Sequence, residues 1–256
     1  MLIVILCFIF LASTLTWYLL KHDHGRRITS GSIWTSIGFG FLAMIVASTL
    51  ENLILPDNLQ SAPSSYPLSE RFLFFVIVGI IEESLKFLPL AIFIYKKPYF
   101  KERTDGVIYF AICGLTFGLG ENIGYTLSYG VKAGLVRLVL MPFFHAAATS
   151  ILGYYLVSMK IDKKNKIKFI LACLIIPLLH GLYDFGLLSG VTQLAIFSLM
   201  ITLFLSLGLF LYFSEANDLD KAELAKESAS TQSFCPSCGK SNQSHKMFCS
   251  YCGRHL

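Results

Sequence analysis

The run Phe72-Leu-Phe-Phe-Val-Ile-Val-Gly-Ile-Ile-Glu82-Glu83-Ser-Leu-Lys86-Phe-Leu-Pro-Leu-Ala-Ile-Phe-Ile-Tyr95 decides how this chain is read. A bilayer crossing needs about 20 mostly apolar residues, and the run supplies them. Within it stand two adjacent carboxylates and a lysine one turn later. A charge near the bilayer centre costs roughly 2.5–3.5 kcal/mol on insertion scales, so folding in lipid gives no reason for three. The cluster is expected to be a functional site inside a membrane span.

Working outward, seven stretches have the length and apolar character of spans: about 2–20, 31–55, 70–95, 105–128, 134–158, 167–188 and 191–213. The 256 residues are 55% hydrophobic and 14% charged, and the mean hydropathy is +0.64. An all-α polytopic membrane protein follows, with one bundle of about seven transmembrane helices over residues 1–213. The first stretch lacks a basic residue before it and a small-residue cleavage pattern, so it reads as a retained span rather than a secretory signal.

Basic residues mark alternate loops: Lys21, Arg26 and Arg27 after the first span, Lys96, Lys97, Lys101 and Arg103 after the third, and Lys160, Lys163, Lys164, Lys166 and Lys168 after the fifth. The intervening connections hold little positive charge, with Arg71 near one and Lys132 and Arg137 near another. Positive loops face the cytoplasm, which puts the N-terminus outside and the C-terminal tail inside a bacterial cell membrane. The net charge of +5 is accounted for by this bias together with tail lysines. No P-loop or dinucleotide fingerprint accompanies it, and no nucleic-acid partner is expected.

After Phe213 the hydropathy falls. Residues 214–232 read as a polar, partly helical linker, and residues 233–256 as a separate small module. There Cys235-Pro-Ser-Cys238 and Cys249-Ser-Tyr-Cys252 form two C-x-x-C knuckles, each followed by a glycine, Gly239 and Gly253. Two such turns can bring four thiolates to one tetrahedral zinc ion, and a four-cysteine site is closed and structural. On the cytosolic side thiols stay reduced, which argues against disulfides. The module resembles the zinc ribbons of many bacterial membrane proteins, and a cytosolic protein could be its partner. His245 and His255 lie nearby and are expected to be exposed. Cys7, Cys113 and Cys173 lie inside spans without metal-like spacing and read as core thiols.

Further polar groups fall on the spans: Glu121-Asn122 in the fourth, His145 in the fifth, and His180 with Asp184 in the sixth. At about 1.5 Å of rise per residue, Glu82-Glu83, Glu121, His145 and His180 come to similar depth. Both histidines follow a proline by three residues, Pro142 and Pro177, where a kink can open backbone beside a site. Asp184 lies one turn beyond His180, where it can orient the imidazole or merely cap the span's end. Gly114, Gly118 and Gly120 permit close helix approach before Glu121. Glu51-Asn52, at the outer end of the second span, reads as interfacial.

Two neighbouring carboxylates in a low dielectric do not both ionise easily, so one is expected to hold a proton while Lys86 stabilises the other's charge. With two histidines as metal ligands or oxyanion donors, these parts suit amide hydrolysis. No H-E-x-x-H is present to decide for a metal.

As a set, Glu82-Glu83-Ser-Leu-Lys86, Phe117-Gly-Leu-Gly-Glu121-Asn122, His145 and His180-Gly-Leu-Tyr-Asp184 resemble the motifs of the PrsW family of intramembrane proteases, within the CAAX prenyl endopeptidase and bacteriocin-processing superfamily. The resemblance covers most of residues 70–188. It implies a membrane-embedded peptidase acting on membrane-anchored proteins, with Glu82 or Glu83 as general base. His145 and His180 would be ligands of a catalytic zinc or oxyanion donors, and Lys86, Glu121, Asn122 and Asp184 supporting residues. The family is linked to the first, extracytoplasmic cleavage of anti-sigma factors. Two alternatives stand at this point: a proton- or ion-coupled transporter using the same midplane charges, and a sensor reporting through the ribbon.

Overall fold

The computed structural model describes residues 1–26, 28–56, 65–230, 232–235, 237–243 and 247–255; Arg27 and His245 therefore lie outside the described residues. Among the described residues seven α-helices appear in order: α1 (Leu2–Lys21), α2 (Ser30–Ile54), α3 (Leu68–Ile94), α4 (Arg103–Tyr129), α5 (Val131–Ile161), α6 (Lys166–Leu188) and α7 (Thr192–Ser230). A two-stranded antiparallel ribbon, β1 (Gln232–Phe234) and β2 (Ser241–Gln243), follows them.

Among the described residues five helices, α1, α2, α4, α6 and α7, are long and apolar enough to cross a membrane. α5 joins them as a bent span, Val131–Leu138 meeting Phe143–Ile161 at 45°. The side chains at the bend, Pro142 included, lie outside the described set. α3 is as long as the others but carries Glu70, Arg71, Glu82, Glu83 and Lys86, so it is less uniformly apolar than they are.

α4 is the axis of the bundle. Every residue from Thr104 to Leu115 is buried, which a helix wrapped on all sides by protein requires. Its glycines set how near the neighbours come. A Cβ at Gly114 would overlap the His145 carbonyl on α5, and one at Gly79 on α3 would overlap the backbone of Pro177 and Gly181 on α6. Large apolar side chains such as Phe10, Trp34, Phe41, Ile92 and Phe204 face outward, the arrangement expected when the surrounding solvent is lipid.

The loops after α1, α3 and α5 gather at one end of the bundle, as their shared basic character predicts. There His24 N–H donates to Asn217 Oδ1 (2.8 Å), Arg26 N–H to Glu102 Oε2 (2.6 Å), and Lys160 Nζ to the carbonyls of Tyr95 (2.6 Å) and Phe100 (2.5 Å). The polar segment after Phe213 continues α7 without a break to Ser230, because its buried residues Ala216, Asn217 and Asp220 dock on this end. The Asp220 carboxylate accepts from the backbone N–H of Arg103 (3.1 Å) and Thr104 (2.8 Å), capping the start of α4 from another helix, and pairs with Arg103 Nη1 at 3.2 Å. Glu223 and Glu227 add pairs with Arg103 and Arg26. Asp220→Ala leaves two helix-terminal N–H donors and a largely buried guanidinium short of partners. An unfolding titration in detergent should show a loss of about 1–3 kcal/mol.

Candidate active site

Four helices bring their polar residues to one place. On α3, Glu82, Glu83 and Lys86 are buried, and the helical spacing lets one ammonium serve both carboxylates: Lys86 Nζ lies 3.3 Å from Glu82 Oε2 and 2.7 Å from Glu83 Oε1. From α5, fully buried His145 turns Nδ1 to Lys86 Nζ at 3.0 Å and Nε2 to Glu121 Oε2 of α4 at 2.8 Å. Since an ammonium only donates, His145 accepts at Nδ1 and carries its proton on Nε2, which lies close to the Glu121 carboxylate without the alignment of a hydrogen bond. Gly118 of α4 makes room for this ring, because a Cβ there would meet His145 Cδ2 at 2.6 Å.

From α6, His180 Nδ1 donates to Glu83 Oε1 at 2.7 Å, which leaves Nε2 as the open nitrogen. Nε2 faces Glu82 Oε2 at 3.5 Å and Asp184 Oδ2 at 3.4 Å. Phe144 lies edge-on to both imidazoles, 5.3 Å from His145 and 5.0 Å from His180 by ring centroids, and fixes the space between them. The approach of α3 to α6 at Gly79 and Gly181 makes the Glu83–His180 bond possible.

The two glutamates are not equivalent. Glu83 has both oxygens engaged, Oε1 by Lys86 and His180 and Oε2 by the Thr149 hydroxyl at 3.3 Å. Glu82 lines a cavity of about 250 Å³ between α2 and α4, which Glu121 and Phe117 also line. Its Oε1 has no hydrogen-bond partner among the described residues, so Glu82 is the member of the pair that a molecule in the cavity meets.

Among the residues singled out from sequence, Glu82, Glu83, Lys86, His145, His180 and Glu121 form one connected network. Asp184 reaches only the open side of His180, and it is Glu83 that orients the imidazole. Asn122 stands apart from the pair and accepts from Arg137 Nε at 2.8 Å. Arg137 is a residue that sequence reasoning missed by counting it with a loop: it lies in α5, forms an ion pair with Glu121 Oε1 at 2.6 Å and stacks 3.9 Å over the Tyr125 ring. An arginine two turns before a buried histidine, inside an apolar stretch, was the available signal. Glu51 was missed as well. It lines the same cavity, and one of its oxygens is buried without a hydrogen-bond partner among the described residues.

Glu82, His145 and His180 offer two imidazole nitrogens and one carboxylate oxygen within 4.8 Å of one another, a set of the kind that holds catalytic zinc. His180 Nε2 is open for a ligand role. His145 can join only by giving up its hydrogen bond to Lys86 or by turning Nε2 away from Glu121. The donor chemistry fits a divalent ion with that one adjustment.

The second cysteine knuckle repeats the first. Cys235 N–H donates to Lys240 O (3.0 Å) and Gly239 N–H to Cys235 O (2.8 Å), and Cys249 N–H donates to Arg254 O (2.7 Å) and Gly253 N–H to Cys249 O (2.9 Å). Gly239 and Gly253 have φ of +69° and +71°, the left-handed turn that glycine adopts without strain. Sγ atoms of Cys235 and Cys252, and of Cys238 and Cys249, come within 3.6 Å, a four-thiol arrangement suited to zinc. His255 is exposed, as expected.

Comparison with known proteins gives two family matches: PrsW family intramembrane metalloprotease over residues 28–212, and a zinc-ribbon domain over residues 234–256. Curated relatives include three named Protease PrsW. That of Halalkalibacterium halodurans is 32% identical over 171 residues, 66% of this chain and 76% of the relative. That of Bacillus subtilis is 39% identical over 116 residues, 44% of this chain and 53% of the relative. That of Shouchella clausii is 37% identical over 116 residues, 45% of this chain and 54% of the relative. The matched segment thus covers about three quarters of the first relative and about half of the other two. No solved structure matches the chain.

Proposed function

This chain belongs to the PrsW family of intramembrane metalloproteases, and on that premise we propose that it hydrolyses a peptide bond of membrane-anchored proteins at the depth of Glu82. The observation that carries the residue assignment is the division of labour between the two glutamates. Glu82 faces the cavity, whereas Glu83 is spent on Lys86, His180 and Thr149. Glu82 takes the proton from the attacking water and passes it to the leaving nitrogen. Glu83 holds His180 with Nε2 toward the reacting atoms, and Lys86 pairs with both carboxylates, most closely with Glu83. Glu121, itself held by Arg137, orients His145.

Glu82 through Oε2, with His145 and His180, would hold a divalent metal, leaving Oε1 free to act as the base; when bound, the metal supplies a Lewis acid for the scissile carbonyl and an acidified water. The cavity reaches Tyr129, at the end of α4 away from the loops that dock the α7 tail. With the basic loops in the cytoplasm, it opens outward in a bacterial cell membrane. Site-1 cleavage of an anti-sigma factor is the substrate assignment that fits, and a cytosolic protein is the partner assigned to the ribbon.

The test is twofold. Full-length protein in liposomes with single-span substrates should cut them, and Glu82→Ala and His145→Ala should not. If the wild type cuts nothing while ion flux follows these residues, the peptidase reading fails. Metal analysis of the full chain should find about two zinc ions in the wild type and about one, in the ribbon, in His180→Ala. One ion in both would make this a metal-free glutamic peptidase.

A further inference from the structure

We infer that Glu51 forms an acidic subsite for a lysine or arginine side chain of the substrate, on the outer side of the bond to be cut. The inference rests on the peptidase reading above and extends it to specificity. The cavity follows α2 and α4 from Glu82 and Phe117 to Asn52 and Tyr129. From Phe117 to Tyr129 the helix rises about 18 Å, so Glu51, in the last turn of α2, stands toward the mouth and Glu82 at the floor.

Three carboxylates line this space: Glu51, Glu82 and Glu121. Two already have their cations, Lys86 beside Glu82 and Arg137 beside Glu121. Among the described residues Glu51 makes no ion pair and its Oε1 is buried without a hydrogen-bond partner, while the residue as a whole stays partly exposed and lines the cavity. A carboxylate with one oxygen shielded from water and no cation of its own is costly to keep ionised, and a cation arriving in the cavity relieves that cost. At about 250 Å³ the space is smaller than the roughly 300–1,000 Å³ of small-molecule pockets. It admits one side chain and its adjoining backbone rather than a helix some 10–12 Å across.

Lysine and arginine suit it because an apolar stem can lie along Met44 and Ala47 while the charged end reaches the carboxylate. Basic residues are also scarce on the outer flanks of membrane spans, so a requirement for one would select few chains.

The test uses the full-length protein in nanodiscs and labelled single-span peptides that differ only in Lys, Gln or Glu at one position, scanned outward from the membrane centre. Binding is measured on Glu82→Gln protein, which holds peptide without turning it over. At one position the Lys peptide should bind about tenfold tighter than the Gln peptide, a difference of one decade in Kd. Adding Glu51→Gln should shrink that ratio to within about twofold, and Glu51→Lys should favour the Glu peptide. With wild-type protein the same order should appear in KM rather than in kcat. Equal binding of the three peptides, as a protonated Glu51 would give, overturns the inference, and so does a preference that survives Glu51→Gln. A Lys preference in binding without any cleavage by the wild type would leave the subsite standing and remove the peptidase reading.

Discussion

Glu82→Gln is expected to slow peptide cleavage by about 10²–10⁴-fold, the range lost with a positioned general base. Glutamine has nearly the volume of glutamate and can still accept from Lys86, so the packing around α3 is kept and the loss falls on proton transfer. Glu83→Gln should behave differently. Its amide can no longer hold His180 and Lys86 as an ion, so both catalysis and stability fall, and raised pH does not restore the rate. Turnover by the two variants, read beside their unfolding midpoints, checks the assignment. If Glu83→Gln loses activity at unchanged stability while Glu82→Gln stays active, the roles are reversed.

Lys86→Met should cost about 3–5 kcal/mol of stability, the penalty for breaking a buried ion pair from one side. The ammonium is fully buried, sits 4.2 Å over the Phe117 ring, and contacts Glu82, Glu83 and His145. Methionine fills much of the space and removes every one of those charge contacts, which leaves two carboxylates to repel one another in a low dielectric. Combining Lys86→Met with Glu83→Gln removes one of the stranded charges and should recover part of the loss. An unfolding titration of the two singles and the double in detergent measures the coupling. Independent, additive effects would mean that Lys86 does not hold the pair.

Much of the frame was legible beforehand because it obeys local rules. Apolar length marks α1, α2, α4, α5, α6 and α7, and the charges that make α3 less uniformly apolar are the ones that make it informative. The contact of Lys86 with both glutamates follows from helical spacing alone. The paired knuckles and their glycines follow from turn geometry, and the left-handed φ at Gly239 and Gly253 is its signature.

Partner choice across helices was not legible. Asp184 is one turn from His180, yet Glu83 of α3 takes the Nδ1 bond, because Gly79 and Gly181 let two backbones nearly touch at that height. Arg137 looked like a loop charge until α5 turned it onto Glu121. Glu51 looked interfacial until Ala43 and Ala47 packed α2 toward the bundle and brought it to the cavity. The continuation of α7 to Ser230 depends on Asp220 finding the start of α4.

The sequence by itself determined that this is a helical membrane protein with an expensive carboxylate pair, a lysine in reach of it, two histidines at similar depth and a four-cysteine ribbon, since hydropathy, rise per residue and turn chemistry are local properties. Only the tertiary structure decided which glutamate faces the cavity, which carboxylate holds each imidazole and where Glu51 points. Those depend on helix rotation and separation, which are set by small residues whose contacts lie far away in the chain.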